Sequence, residues 1–349
     1  MSATAGRSSW TTSTDLQNGL ADRLAGSVRR RLGDGVTVDG LKRLPGGASR
    51  EIWLFTARHP DGRAEPLVLR RDPPGHVIES SRSGEFAILE AAAAAGVPVP
   101  AVRWCADPDE GLGAAFVMDF VGGETIVRKL LRDAEWAAAR AALPAQLAGA
   151  LARIHGMDPD ASAFAHLARP DAGSSPAAAE LARYDGIYRA IAPDPHPAFE
   201  LAFRWLARRQ PAPRRLAVVH GDYRMGNVIV GPDGLRAVLD WELTHVGDPM
   251  EDVGWLCVRS WRFGAAAPVG GLCDRATFFD AYARAGGEPV DPAVACWWEL
   301  FGNLKWGIIT IMQAQTFLGG VKNVELASLG RRTCETELEL LELLEQAEG

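Results

Sequence analysis

The stretch Val218–Asp248, VVHGDYRMGNVIVGPDGLRAVLDWELTHVGD, decides the fold of this 349-residue chain. In and around it, three short apolar runs are rich in β-branched residues and bounded by turn residues, which is typical of strands. These runs are Ala217–Val219, Val228–Val230 and Ala237–Leu239. The turn sequence GPDG at 231–234 separates the last two runs and predicts a hairpin.

Polar residues follow these runs at the predicted strand ends: His220, Asp222 and Asn227 after the first run, and Asp240 after the third. A sheet can hold such side chains in place while leaving them open to solvent. Two carboxylates and an amide oxygen are hard oxygen ligands of the kind that Mg²⁺ prefers. One carboxylate can instead stay free of metal and accept a proton. The simpler interpretation, a buried hairpin with ordinary Asp and Asn turn residues, leaves this grouping without a purpose.

The spacing of these residues resembles that of kinases. Asn227 lies five positions after Asp222, as in the catalytic loop H-R-D-x-x-x-x-N. Asp240 stands where the metal-binding Asp of D-F-G falls. With Gly221 in place of Arg, and Asp-Trp-Glu in place of D-F-G, the stretch is similar to the aminoglycoside phosphotransferase and choline kinase-like small-molecule kinases.

Phrases between Leu41 and Arg332 also resemble the phosphotransferase domain associated with some acyl-CoA dehydrogenases. The resemblance implies an α+β, protein-kinase-like bilobal fold. Its N-terminal lobe is a small antiparallel β-sheet with one main helix, and its C-terminal lobe is large and mostly helical. The corresponding division is a flexible tail at 1–14, an N-terminal lobe at 15–121 and a helical lobe at 122–349 with the catalytic loop and acceptor site.

The same resemblance implies roles for the polar residues. Asn227 and Asp240 would hold Mg²⁺ on the phosphates of ATP, and Asp222 would orient a substrate hydroxyl and accept its proton. His220 and Asp252 are interpreted as structural supports of the catalytic loop. The implied reaction moves the γ-phosphoryl group of ATP to a hydroxyl of a small molecule.

Nucleotide-binding residues are predicted in the N-terminal lobe. The loop 45–50 joins two predicted strands and contains Gly46, Gly47 and Ser49. These small residues would let backbone N–H groups of the loop come close to a phosphate. Backbone groups near Asp119 and Val121, in the last strand and hinge, would meet the edge of adenine.

The predicted third strand ends in LVLRR at 67–71, where protein kinases have V-A-I-K. Arg70 would therefore pair with the nucleotide phosphates, and Glu85 on the next helix would pair with Arg70. Arginine keeps the positive charge of the usual lysine and can bind two phosphate oxygens at once. Alternation along the strand places Arg71 on the opposite face, where we expect a surface site that tolerates substitution.

The acceptor is predicted to be small, because only five residues separate Glu242 from Asp248 and leave no room for an activation segment. The segment 297–306 is aromatic, with one acid and one base, and is predicted to line the acceptor cleft. That composition suits a partly apolar or anionic hydroxylated molecule, such as a hydroxy acid or hydroxyacyl thioester; alternatively, its tryptophans belong to the core. Two further hypotheses are an aminoglycoside kinase with an acidic cleft and a nucleotide-binding pseudokinase that acts as an interaction module.

Composition limits the other possibilities. The formal charge is −7, and no basic cluster indicates a nucleic-acid surface. The five cysteines include no C-x-x-C motif and predict reduced thiols. No apolar run has the length of a membrane span or the pattern of a signal peptide. We expect a cytoplasmic protein that binds a small hydroxyl acceptor, and neither nucleic acid nor membrane.

Overall fold

The computed structural model describes residues 13–44, 51–72, 82–191, 194–212, 214–321 and 323–348. The chain divides into two compact units, Met1–Phe86 with Ala101–Phe120 and Ala87–Pro100 with Val121–Gly349. Residues 87–100, which the predicted division assigns to the N-terminal lobe, thus belong to the second unit. The predicted phosphate loop with Gly46, Gly47 and Ser49 lies outside the described residues.

The first unit is built on an antiparallel sheet of five strands in the order β1-β2-β3-β5-β4. Its strands are β1 (Thr37–Arg43), β2 (Glu51–Arg58), β3 (Ala64–Arg71), β4 (Val102–Cys105) and β5 (Ala115–Asp119), and its helices are α1 (Ser13–Leu32) and the start of α2 (Arg82–Ala94). The sheet and helix predicted for the N-terminal lobe are confirmed.

One face of this sheet carries the core of the first unit. Trp53 and Phe55 on β2 and Leu67 and Leu69 on β3 are buried on that face because side chains alternate along a strand. They pack with the buried residues of α1, which recur at the spacing of a helix: Leu20, Leu24 and Val28. The opposite face carries Arg70, and on it Phe86, from the start of α2, meets Phe116 of β5 edge to face.

The second unit is mostly helical. Its helices are α3 (Val127–Arg132), α4 (Ala137–His155), α5 (Pro176–Ile191), α6 (Pro197–Arg208), α7 (Met250–Cys257), α8 (Arg275–Arg284), α9 (Pro292–Leu318), α10 (Val324–Gly330) and α11 (Thr333–Glu348). Short 3-10 turns occur at Pro108–Glu110 in the first unit and, in the second, at Ala134–Trp136, Ser162–Phe164, Met225–Asn227, Trp241–Leu243 and Arg259–Arg262. None of the described helices combines the length and the apolar character that a bilayer crossing requires.

Two small ladders frame the segment quoted first. The predicted hairpin is confirmed as β7 (Val228–Gly231) paired with β8 (Gly234–Val238). The run β6 (Ala217–Val219) pairs with a strand that the sequence did not predict, β9 (His245–Gly247). The loops after β6 and after β8 carry the polar residues. Each loop therefore connects a strand of one ladder to a strand of the other.

The chain after α9 forms two helices, α10 and α11. A Cβ atom at Gly330, where α10 ends, would lie 2.6 Å from the Cβ of Ala314 on α9. The backbone therefore approaches α9 closely at this glycine, and the chain changes direction before α11 begins.

Candidate active site

Asp222 lies in the loop after β6, is 8% exposed and is held by donors on three side chains. Trp255 Nε1 and Arg224 Nε donate to its Oδ1 at 2.8 and 2.9 Å. Asn227 Nδ2 donates to its Oδ2 at 2.5 Å and to its backbone carbonyl at 3.0 Å. Because these donors come from the loop itself and from α7, the carboxylate has a fixed orientation before any substrate binds.

The backbone that precedes Asp222 is anchored by Asp252, on the first turn of α7. Its buried carboxylate accepts the N–H groups of His220 at 2.8 Å and Gly221 at 2.9 Å. His155 Nε2 contacts the same carboxylate at 3.1 Å, and Tyr282 contacts His155 Nδ1 at 2.7 Å. Burial opposes ionisation, but the hydrogen bond and charge of His155 outweigh it and lower the pKa of Asp252. The predicted anchoring role of Asp252 is confirmed by these contacts.

His220 supports the loop through both of its ring nitrogens. Its Nδ1 accepts the N–H of Asp222 at 3.2 Å, and its Nε2 donates to the carbonyl of Leu239 at 3.0 Å. Its ring also packs against Trp241, with centroids 4.7 Å apart. Burial lowers the pKa of His220, so the neutral tautomer that bridges the loop after β6 and the end of β8 is favoured.

Glycine is required at position 221 by the shape of the backbone. Gly221 has a φ of 80°, in the left-handed region, and a Cβ atom there would lie 2.3 Å from the carbonyl oxygen of Leu243. This is the position at which protein kinases have arginine, so the departure from that motif has a steric cause.

A cluster of buried charges lies behind Gly221. Lys305 Nζ donates to the carbonyl of Gly221 and to Glu251 Oε1, both at 3.0 Å. The other oxygen of Glu251 pairs with His245 Nε2 at 3.1 Å. Burial alone would lower the pKa of His245, but the charge of Glu251 and its hydrogen bond raise it to about 9. Potential metal-ligand atoms of Glu180, His245 and Glu251 lie within 4.8 Å of one another. However, protonated His245 and Lys305 already balance the charges of the two glutamates.

The residues predicted to bind Mg²⁺ have a donor chemistry that fits it. The N–H of Leu239 donates to the carbonyl of Asn227 at 2.8 Å, which places Asn227 beside the end of β8, next to Asp240. Because Asn227 Nδ2 is used on Asp222, its oxygen Oδ1 is the end available to a cation. Asp240 has φ and ψ both at 64°, a left-handed conformation that is uncommon outside glycine and occurs at functional sites.

In the first unit, the predicted ion pair between Arg70 and Glu85 is present. Arg70 Nε and Glu85 Oε1 are 3.0 Å apart, and both side chains are buried. Glu85 also pairs with Arg82, whose Nε contacts Asp72 at 3.0 Å. Glu85 therefore holds two arginines where β3 ends and α2 begins.

The expectation that Arg71 is a tolerant surface site is wrong. Arg71 is 6% exposed, and its Nε lies 3.1 Å from Glu51 Oε2, which also accepts from Trp53 Nε1 at 3.1 Å. Burial lowers the pKa of Arg71. The reason is that the face opposite Arg70 is the one on which α1 packs, so both faces of β3 are covered.

The hinge residues are placed at the end of β5. The N–H of Asp119 donates to the carbonyl of Ala101 at 2.8 Å, and its carboxylate accepts from Arg103 Nε at 2.5 Å. An adenine contact made by Asp119 would therefore use its carbonyl oxygen. Val121 is half-buried and begins the second unit.

A cavity of about 1050 Å³ adjoins the catalytic loop within the second unit. Arg224 and Gly226 bring the loop to its wall, and Trp261, Phe263 and Trp306 give it an aromatic part. Five arginines and three glutamates line it: Arg128, Arg224, Arg259, Arg262, Arg332, Glu325, Glu335 and Glu339. Burial raises the pKa of Glu339 to about 7, which weakens its negative charge near neutral pH, and arginines outnumber glutamates among the lining side chains.

The segment 297–306 does not line this cavity as a whole. Trp297 and Trp298 are buried in the core of the second unit, and only Trp306 reaches the cavity wall. The contacts that Arg224, Trp255 and Lys305 make in the loop after β6 were not predicted from the sequence. The one sequence signal for Lys305 was a lone cation among apolar residues of α9.

Comparison with known proteins gives a consistent result. The model of the phosphotransferase enzyme family matches residues 40–298. Acyl-CoA dehydrogenase family member 10 of Mus musculus is 32% identical over 197 residues, which is 55% of this chain but only 18% of that protein.

Two solved structures share the fold at low identity. A protein from Ralstonia eutropha JMP134 assigned to the aminoglycoside phosphotransferases aligns with a TM-score of 0.71 and 21% identity, covering 93% of this chain and 98% of that one. The ternary complex of APH(2")-IIa with streptomycin and ATP aligns with a TM-score of 0.52 and 19% identity, covering 82% and 89%. The protein-kinase-like bilobal fold expected from the sequence is thereby confirmed.

Proposed function

Since the chain belongs to the phosphotransferase enzyme family, we propose that this small-molecule kinase moves the γ-phosphoryl group of ATP to a hydroxyl of a small acceptor that carries an acidic group. One observation carries the proposal. Asp222 is fixed by donors on three side chains beside a cavity in which five arginines outnumber three glutamates.

Phosphoryl transfer needs alignment and charge neutralisation more than covalent help from the protein. In the proposed step, the acceptor oxygen bonds to the γ-phosphorus while the bond from that phosphorus to the ADP oxygen breaks, and the hydroxyl proton passes to Asp222. Asn227 and Trp255 keep the carboxylate aimed through their hydrogen bonds to its two oxygens. His220 and Asp252 keep the backbone of the loop in place.

We assign the contacts of the nucleotide to individual residues by their chemistry. Asn227 and Asp240 would hold Mg²⁺, which supplies positive charge to the phosphates when bound. Arg70, steadied by Glu85, would bind phosphate oxygens, and backbone groups near Gly46, Gly47 and Ser49 would do the same. Asp119 and Val121 would meet adenine. The ATP complex of APH(2")-IIa supports ATP as the donor.

The arginines of the cavity favour one of the acceptor hypotheses. A polycationic aminoglycoside would meet an excess of arginine, which is unfavourable. A hydroxy acid or hydroxyacyl thioester matches both the arginines and the aromatic wall, and the relative named acyl-CoA dehydrogenase family member 10 supports the thioester. A pseudokinase interaction module would not need the three donors that aim Asp222.

The test is a measurement of ADP release with Mg²⁺ and ATP against four acceptor sets: hydroxy acids, their thioesters, neutral sugars and aminoglycosides. We expect turnover with the acidic or thioester sets, and its loss in Asp222→Asn. Turnover with aminoglycosides alone would support the antibiotic-kinase hypothesis. ADP release that no set stimulates, and that Asp222→Asn leaves unchanged, would contradict the kinase assignment.

A further inference from the structure

Arg224 is the residue that links the catalytic carboxylate to the cavity. Its Nε donates to Asp222 Oδ1 at 2.9 Å, and its guanidinium carbon lies 4.6 Å from the centre of the Trp261 ring. The side chain is 23% exposed and forms part of the cavity wall. Among the described residues, the hydrogen bonds and ion pairs of this side chain are made by Nε alone.

Both terminal nitrogens of Arg224 therefore retain their N–H donors on the cavity side. A planar guanidinium matches the two oxygens of a carboxylate or phosphate, and stacking on an aromatic ring fixes the plane of its donors. Three other cavity arginines are already compensated by glutamates: Arg259 by Glu342, Arg262 by Glu299 and Arg332 by Glu335. Arg224 instead shares the carboxylate that does the proposed chemistry.

Gly226 provides the space that this arrangement needs. A Cβ atom at Gly226 would lie 2.1 Å from Nη1 of Arg224. Gly226 is not among the glycines with positive φ, so its backbone conformation does not demand glycine. The close approach of the Arg224 guanidinium is the steric reason for a glycine here, and any larger side chain would displace that group.

We propose that Arg224 selects the acceptor, its terminal nitrogens binding an oxyanion of the acceptor while Nε holds Asp222. One side chain would then set the separation between the acidic group of the acceptor and the hydroxyl that is phosphorylated. This inference rests on the proposed function. The oxyanion has two possible sources, a carboxylate or phosphate of the acceptor and the γ-phosphate of ATP, and we assign it to the acceptor because Arg224 lies on the cavity wall.

The experiment compares matched acceptors that differ only in charge: an ω-hydroxy acid and its primary amide of equal chain length. For the parent protein we expect kcat/KM to favour the acid by about tenfold or more. Arg224→Met should bring the acid-to-amide ratio close to one. Gly226→Ala, which keeps every charge but displaces the guanidinium, should lower the same ratio, and Arg224→Lys should fall between. Arg284→Met removes an arginine whose side chain is 72% exposed and which lies outside the cavity, so it should keep the parent ratio.

Several outcomes would overturn the assignment. One is an acid preference that survives in both Arg224→Met and Gly226→Ala, with folding of each variant checked by thermal unfolding. Another is a weaker affinity for Mg-ATP in Arg224→Met with an unchanged ratio, which would identify the oxyanion as the γ-phosphate. A parent protein that phosphorylates acid and amide equally would reject the role of Arg224 while leaving the kinase assignment intact. A parent protein that phosphorylates neither, nor any acceptor in the wider screen, would reject the proposed function itself.

Discussion

Lys305 Nζ donates to the carbonyl oxygen of Gly221 at 3.0 Å, one residue before the proposed base Asp222. The same ammonium pairs with Glu251 and lies 4.8 Å from the centre of the Trp255 ring. Trp255 in turn donates to Asp222. A buried cation on α9 thus contacts both the backbone and the aromatic side chain that hold the carboxylate of Asp222.

Replacing Lys305 should cost more stability than replacing a surface lysine. Lys305→Met leaves Glu251 with His245 as its remaining cation and removes a donor from the Gly221 carbonyl. Loss of one partner of a buried pair typically costs about 3–5 kcal/mol. Urea denaturation gives the free energy of unfolding, with exposed Lys129→Met as the control. A loss below about 1 kcal/mol would show that the cluster contributes little.

The stability of the protein should fall as the pH rises through 9. The charge of Glu251 raises the pKa of buried His245 from 6.5 to about 9 in the folded state. A raised pKa means that the folded state binds the proton more tightly, so this contribution is complete below pH 6.5 and is lost as the pH passes 9.

Chemical denaturation between pH 6 and pH 10 measures this dependence. The groups facing His245 are Glu251, Glu180 and the Leu243 carbonyl, and Glu251 keeps its charge throughout because its pKa is lowered to about 2. His245→Gln should remove most of the alkaline loss. A parent protein equally stable at pH 7 and pH 10 would contradict the protonated state of His245.

Asp240→Gly separates the proposed metal role from folding. If Asp240 binds Mg²⁺, the variant should lose the tightening of ATP binding that Mg²⁺ produces. Because glycine adopts the left-handed conformation of this residue without strain, the free energy of unfolding should rise by up to about 1 kcal/mol. Calorimetry with ATP, with and without Mg²⁺, tests the first effect and thermal unfolding the second. Unchanged Mg-ATP affinity would refute the metal assignment.

Replacing Arg70 and replacing Arg71, both at the end of β3, should have different effects. Arg70→Ala removes a proposed phosphate contact worth roughly 1.5–3 kcal/mol and should weaken ATP binding about tenfold or more. Arg71→Ala leaves half-buried Glu51 without this partner and should lower stability by about 1–3 kcal/mol, with ATP affinity nearly unchanged. Titration with ATP and urea denaturation of both variants decide the matter. A larger loss of ATP affinity in Arg71→Ala would reverse the two assignments.

Much of the fold could be predicted. The resemblance to small-molecule kinases implied the antiparallel sheet of the first unit, and a turn sequence predicted the β7–β8 hairpin. The strand β9 was missed because its three residues, His245–Gly247, form a strand only through pairing with β6. Arg71 was misjudged because burial on its face depends on α1, which lies far away in sequence.

Some residues of the candidate site could be predicted from the sequence and others could not. Asp222, Asn227 and Asp240 could be found because their spacing in one short stretch follows a known motif. The contacts of Trp255 and Lys305 with that stretch could not, because they come from other helices and nothing in their own neighbourhoods marks them. The arginines of the cavity are likewise brought together by folding rather than by sequence order.

The ladder between β6 and β9 has a consequence for motion. It closes the segment at both ends, with Asp222 following the first strand and Asp240 preceding the second. The loops that carry Asp222 and Asp240 are each anchored to a paired strand at both ends. In hydrogen-exchange terms, the amides of these strands should form one cooperative unit, protected together and exposed together. We therefore expect the slow movements that admit an acceptor to arise outside this unit, while the proposed base Asp222 stays on a part of the protein whose amides exchange slowly.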